Sequence, residues 1–390
     1  MNPHTLIGPD GHWQIIRNEY AIAPIAEFMS KSVGSWIFCS DGLKRGYLSV
    51  VDESVEEVCL GSPPAGSERG LILPGFANSH THLGDSCAYP APKGTVKDLV
   101  GPPDGYKHRI LKCTSDTDKV LAMRKSLELM STTGTVAFSD FREEGRAGIR
   151  TIRDALDRSE LKATILGRPA KEEIAEEEAD QILSECDGLG MSAVSDWPMG
   201  VLESLSSKCR AKGKIFALHA SEVEREDIDV ILSLRPTFLV HMTKASGHDL
   251  EACREASVPI VVCPRSYEFF GTRNDIGPKI RSGVTLGLGT DNAMISQPDM
   301  IEEMKAAYAA SRDSGDVSPS DIANLATFGG RKVLNLDAQI TTEITEQKDF
   351  VVVRVGDDAP LKQLVTSSKS DDITALVRNG RIWRSSRWRK

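Results

Sequence analysis

The chain has 390 residues, of which 40% are hydrophobic and 26% charged, and its formal net charge is −9 with a pI of about 5.5. That length exceeds one small core and fits a barrel of about 250 residues with a smaller companion. The acidic balance gives no positive field for nucleic acid phosphates or an anionic membrane, and no stretch approaches the ~20 apolar residues of a membrane span. The expected partner is a small molecule, with neither nucleic acid nor membrane, and a homo-oligomer is compatible with the composition.

The start, MNPHTLIGPDGHWQ, lacks the basic opening and apolar core of a secretory signal, so the expected compartment is the cytoplasm. Residues 1–36 match no regular pattern and read as an N-terminal extension of unclear role. Met29 stands just before the first β-rich stretch, which leaves both an appendage and an overextended start open. Residues 37–61 read as short strands and turns without helices.

From residue 71 onward, β-rich runs alternate with helical spacing. The runs are 71–82, 135–141, 162–168, 188–196, 214–220, 237–242, 258–264 and 284–291. Segment 118–134 shows helical periodicity ending at Gly134, and 172–186 is a second, acidic helix whose charges read as a solvated face. Eight strand–helix units predict a parallel sheet closed into a (β/α)8 TIM barrel, of the α/β class, over 71–336. The other flank, 348–386, is again β-rich, with Asn379–Gly380 as a hairpin signal. Residues 37–70 and 337–390 are therefore expected to pair into one small sheet domain built from both chain ends. The eight cysteines are scattered singly and read as free thiols; Cys263, in an apolar run, reads as a buried small hydrophobe.

Four of the eight histidines, His80, His82, His219 and His241, fall at the C-terminal ends of predicted strands one, five and six. Active sites of barrels form at that end. Residues two apart on a strand face the same way, so His80 and His82 aim both imidazoles into the mouth. A lone pair of this kind carries little information. His219, at the end of KIFALHA, adds a third nitrogen, and Asp291, at the end of VTLGLGTD, adds a carboxylate from the last strand, beside the first after closure. Three histidines and one aspartate suit one divalent ion, zinc first and iron(II) second, with a position left for water. Glu222, three residues beyond His219, has the spacing of a proton shuttle. His241 is read as orienting the attacking water, and no lysine in strand four is available to bridge two ions, so the site is expected to be mononuclear.

The order LPGFANSHTHLGD, HASE, VHM, VVCPRS, GLGTDN resembles the cytosine deaminase, guanine deaminase and chlorohydrolase-like branch of the amidohydrolase superfamily, over roughly residues 37–355. ATFGGRKVLNL (326–336) looks like the helix these proteins carry after the last barrel strand. The resemblance implies that His80, His82, His219 and Asp291 hold the metal, that Glu222 shuttles a proton, and that His241 polarises substrate or water. It also implies that the flanking strands form a small β-sandwich. The chain departs from the branch at Tyr267, where Asn is common.

The expected function is hydrolytic deamination at a C=N or amidine carbon of a small heterocycle such as a nucleobase or nucleoside. Asp291 would take the proton from the attacking water, Glu222 would protonate the ring nitrogen, and His241 would steady the developing charge. Hydrolysis of a cyclic amide or of a chlorinated ring on the same site is the alternative, and a catalytically silent barrel the reading from another class. His108 and Arg109 in the long loop after strand one, with Arg142 and Arg168 at the ends of strands two and three, lie where substrate contacts are expected; His108, Arg142 and Arg168 are the candidates. Arginine there would suit a carboxylate or phosphate.

Overall fold

A computed structural model describes residues 31–170, 175–272, 275–312, 315–336 and 348–383, with the backbone of two paired strands, Leu6–Ile7 and Trp13–Gln14. The remainder of the expected N-terminal extension, Met29 included, lies outside the described residues, as do 171–174 of the acidic helix and 337–347 and 384–390 of the C-terminal flank.

The barrel strands are Phe76–His82, Thr135–Arg142, Lys162–Gly167, Gly188–Met191, Ile215–Ala220, Phe238–His241, Ile260–Val262 and a last strand in two pieces, Leu286–Leu288 and Asp291–Asn292. Each pairs in parallel with the next in chain order. The first piece of the last strand pairs with the seventh strand through Val262↔Leu288, and the second with the first strand through Asp291↔Thr81, so the ladder returns to where it began. These strands are covered on both faces, which is why the fifth to seventh read as near-continuous apolar runs, whereas the first, FANSHTH, is buried yet largely polar. The runs expected at 71–82 and 188–196 are shorter in the barrel. Gly75 separates Leu71–Pro74, which joins another sheet, and strand four ends at Met191 before a 3-10 turn at Val194–Asp196.

Outer helices fill the connections. Asp116–Thr132 starts where the Ser115 side chain accepts from the Asp118 amide, and Gly247–Glu255 starts on a capping box between Ser246 and Asp249. The acidic helix runs Ala175–Glu185, with Ala175, Ala179, Ile182 and Leu183 buried. The segment expected as one helix at 326–336 is a π-helical turn, Leu325–Gly329, followed by Gly330–Val333. Thr327 Oγ donates 2.7 Å back to the Ala323 carbonyl there, and Gly329 lies so close to strand eight that an added Cβ would stand 2.2 Å from the Leu286 carbonyl oxygen.

Both flanks enter a second, mainly antiparallel sheet. Its strands are Lys31–Val33, Trp36–Cys39, Gly42–Val51, Ser54–Leu60, Leu71–Pro74, Phe350–Val353, Ile373–Arg378 and Arg381–Trp383. Residues 31–36, expected outside this part, supply its first strand, Lys31–Val33, and the opening residue of its second, Trp36. The sheet curls until Arg381 meets Ser54, so it is one closing sheet where the expectation was a two-layer sandwich. The ten-residue strand Gly42–Val51 pairs along both edges and shifts register between Ser49 and Val50, an irregularity that increases local twist and bends a sheet toward closure. Ile37, Leu48, Ile72, Phe350, Val352 and Val377 fill its interior.

Candidate metal centre

The barrel brings the predicted ligands together at its C-terminal mouth. His80 and His82 end the first strand, two residues apart on one face, and their rings lie 4.7 Å apart between centroids. The His219 ring is 4.9 Å from that of His80. Asp291 Oδ1 stands 3.3 Å from His80 Nε2 and 3.6 Å from His82 Nε2. The side-chain donors of His80, His82 and Asp291 form one group within 4.8 Å, and those of His80, His219 and His241 another. All five residues are buried.

The backbone is unusual where these side chains leave it. His241 has φ 76° and Asp291 φ 60°, with Ser221 and Met242 also left-handed. Residues that carry a Cβ meet a steric cost in that region, and the surrounding barrel holds them there.

The hydrogen bonding shows what the cluster lacks. His219 Nδ1 lies 2.7 Å from the Met191 carbonyl oxygen, and His82 Nδ1 lies 2.8 Å from Glu143 Oε1 and 3.2 Å from the Phe141 carbonyl oxygen. The Met191 and Phe141 carbonyl oxygens can only accept, so each Nδ1 must carry the proton and each Nε2 a lone pair. The two Nε2 atoms face each other at 3.3 Å. Neither ring nitrogen of His80 makes a formed hydrogen bond. Buried lone pairs converging on one point beside a carboxylate are costly without a cation between them, and the donor set therefore fits a divalent metal.

Charges agree with that reading. Burial pushes the His80, His82 and His219 imidazoles toward the neutral form, His82 down to about 3. Burial works to raise the Asp291 carboxyl, yet the surrounding histidines hold it well below the usual carboxylate range. Ser266 Oγ donates to Asp291 Oδ2 at 2.6 Å and Asn292 Nδ2 to Oδ1 at 2.8 Å, which fixes the carboxylate plane.

Glu222 Oε2 lies 3.6 Å from His241 Nε2, and burial raises its carboxyl above the ordinary range. Its side chain is 22% exposed, against 2% for His241, so it forms the more open edge of the cluster. Tyr267 packs its ring 5.7 Å from that of His241 and directs its hydroxyl to the His241 carbonyl oxygen at 3.4 Å. At the position where the resembled branch commonly has Asn, this chain thus buttresses His241. Cys263 is fully buried, as expected, and its sulfur lies within 4.8 Å of donors on His241 and Asp291. Burial drives its thiol well above the normal range.

The substrate-side candidates separate. Arg142 is 1% exposed and engaged with neighbouring carboxylates, donating to Asp140 Oδ2 at 3.2 Å and Glu143 Oε2 at 2.7 Å. His108 bonds the Val100 carbonyl oxygen at 3.2 Å, and burial brings its imidazole down to about 4. Exposed Arg109 bonds the Asp104 carbonyl oxygen. Arg168 donates Nε to the Gly190 carbonyl oxygen at 2.9 Å, while its buried Nη2 has no hydrogen-bond partner. Two neighbours escaped sequence reading. Glu143 follows Arg142 past the end of the second strand, and Lys107 precedes His108 in the loop. Lys107 Nζ sits 2.6 Å from Glu143 Oε1 and 3.1 Å from Asn292 Oδ1. The usable signal was a carboxylate one residue past a barrel strand end; nothing local marked Lys107.

An eight-stranded parallel barrel whose histidines and aspartate meet at the C-terminal mouth defines a class of barrel with a metal-binding centre. Within it, the amidohydrolase family profile matches residues 71–383, and the chain belongs to that family. It is 36% identical over 284 residues to a putative aminohydrolase of Archaeoglobus fulgidus, covering 72% of this chain and 81% of the relative. It is 22% identical over 398 residues to a 5'-deoxyadenosine deaminase of Methanothermobacter thermautotrophicus, covering 90% and 91%. Among solved structures, an adenosine deaminase from Xanthomonas campestris with bound zinc superposes with a TM-score of 0.73 at 15% identity, covering 92% of this chain and 93% of that one.

Proposed function

We propose that this chain is a metal-dependent hydrolytic deaminase that attacks a C=N or amidine carbon of a small heterocycle such as a nucleobase or nucleoside. The observation that carries the reading is the pair of Nε2 lone pairs of His82 and His219 facing each other at 3.3 Å beside Asp291, with the raised carboxyl of Glu222 3.6 Å from His241. Relatives named as an aminohydrolase and a deaminase, and the zinc bound by the Xanthomonas protein, support it.

His80, His82, His219 and Asp291 would hold one divalent ion, with zinc the first choice and iron(II) the second. Such an ion lowers the pKa of water toward neutrality and so supplies the nucleophile. Asp291, held ionised, is placed to accept the proton that the water gives up. Glu222, protonated above the ordinary carboxylate range, would donate that proton to the ring nitrogen, and the proton taken up by Asp291 would go to the leaving amine as the C–N bond breaks and the C=O forms. His241, held by Tyr267, steadies charge on the substrate. Arg168 offers an unpaired N–H for an oxygen or anionic substituent of the substrate; His108 remains a candidate at the loop, whereas Arg142 is engaged with Asp140 and Glu143.

The test is ammonia release by purified, zinc-loaded protein from a panel of aminated nucleobases, nucleosides and other heterocycles, with chloride and carboxylate assays beside it. Ammonia released by the parent and abolished in His80→Ala is the expected result. Chloride or ring-opened acid in its place would move the reaction to the alternative leaving group, and no product from metal-loaded protein would overturn the proposal.

A further inference from the structure

The loop between the first barrel strand and the helix at Asp116–Thr132 holds a short helix at Val96–Leu99 and another at Tyr106–Cys113. It carries Lys107, 3% exposed, into the ligand cluster. At 2.6 Å from Glu143 Oε1, the ammonium ion-pairs with the carboxylate that lies 2.8 Å from His82 Nδ1. Through Asn292 Oδ1, at 3.1 Å, it reaches the amide whose Nδ2 donates to Asp291 at 2.8 Å. His82 ends the first strand and Asp291 belongs to the last. One side chain from the loop therefore holds the supports of two ligands on the two strands that close the barrel.

We propose that Lys107 is a positioning residue that makes closure of residues 96–113 and ordering of the metal ligands a single event. The inference rests on the metal reading given above. Groups behind a ligand fix its ring or carboxylate orientation, and their loss typically lowers metal affinity or activity by about 10–100-fold. A loop tied to those groups is ordered by whatever orders the ligands, and by linkage it helps to order them in turn. Asp85, from the start of the same loop, reinforces the tie by accepting from the Met294 amide at 2.9 Å, just past the last strand.

The experiment is amide hydrogen exchange on peptides covering 96–113, in metal-free and zinc-loaded protein, with the rate of zinc transfer to a chelator measured on the same samples. In the parent, zinc is expected to slow exchange across 96–113, although no proposed metal ligand lies there. In Lys107→Met that protection is lost and zinc leaves on the order of tenfold faster. Should Lys107→Met leave too much unpaired charge to fold, the pair Lys107→Met with Glu143→Gln removes both charges, and the same readout applies. A purely structural lysine would lower metal-free stability and leave the zinc-dependent protection intact. That outcome, or a parent that binds zinc without protecting 96–113, overturns the proposal; a parent that binds no zinc instead overturns the metal reading beneath it.

Discussion

Glu222 is the residue whose environment speaks most directly to chemistry. A carboxyl raised by burial keeps its proton above the ordinary range, so a step needing that proton runs below the raised pKa and fades as pH rises through it. Glu222→Gln should lower kcat by about 10²–10⁴-fold with metal content unchanged, and should remove that limb of the pH profile; an unaltered profile would take Glu222 out of the reaction. Glu303 titrates for a structural reason. Fully buried, it accepts from the Arg265 amide at 2.9 Å, and burial raises its carboxyl to about 8 from 4.5. Across that window the unfolded chain gives up the proton while the folded chain keeps it, so the stability present below about pH 4.5 declines as pH rises toward 8. Glu303→Gln keeps an acceptor for Arg265 and removes the titration. Denaturant unfolding should show it gaining roughly 3 kcal/mol on the parent between pH 5 and pH 8, and parallel profiles would contradict the assignment. The residues legible in the sequence were those with strand-end periodicity, His80, His82, His219, His241 and Asp291. Arg142 occupied a matching strand end but faces Asp140 and Glu143, because a buried guanidinium takes the nearest carboxylates. Lys107 was invisible because its partners come from strands far away in the chain.

At the scale of elements, the break in the last strand decides whether the ligands meet. Gly289 and Thr290 separate Leu286–Leu288 from Asp291–Asn292, and a Cβ on Gly289 would stand 2.7 Å from His80 Cβ and 2.9 Å from the His80 amide nitrogen. Alanine must push the first strand away at a ligand position. Gly289→Ala should therefore weaken zinc binding at least tenfold, on the scale of lost ligand support, while the fold persists by circular dichroism; parent-like affinity would show that the close approach is not needed. Most of the eight barrel strands were readable because burial on both faces produces near-continuous apolar runs of strand length. Their limits were not. Leu71–Pro74 and Phe76–His82 read as one run, since both are buried, and the pairing of Leu71–Pro74 with Trp36–Cys39 and Phe350–Val353 divides them at Gly75. The π-helical turn at Leu325–Gly329 likewise depends on close contact with strand eight, which no helical pattern records.

For the whole molecule, two cores divide the work. The larger core runs from Phe38 to Leu376 and takes in the barrel, whereas the second sheet buries its own set around Ile37, Leu48 and Phe350. Both chain ends enter that sheet, and Leu71–Pro74 leads from it directly into the strand bearing His80 and His82. Among the described residues no helix is long and apolar enough to cross a membrane, and all eight cysteines are free thiols. Side chains from the first, fifth and last barrel strands are proposed to share one cation, and metal titration of the purified chain decides whether they do. One equivalent of zinc per chain, with binding lost in both His80→Ala and Asp291→Ala, is the predicted result. No stoichiometric binding, or binding that survives both substitutions, would contradict it.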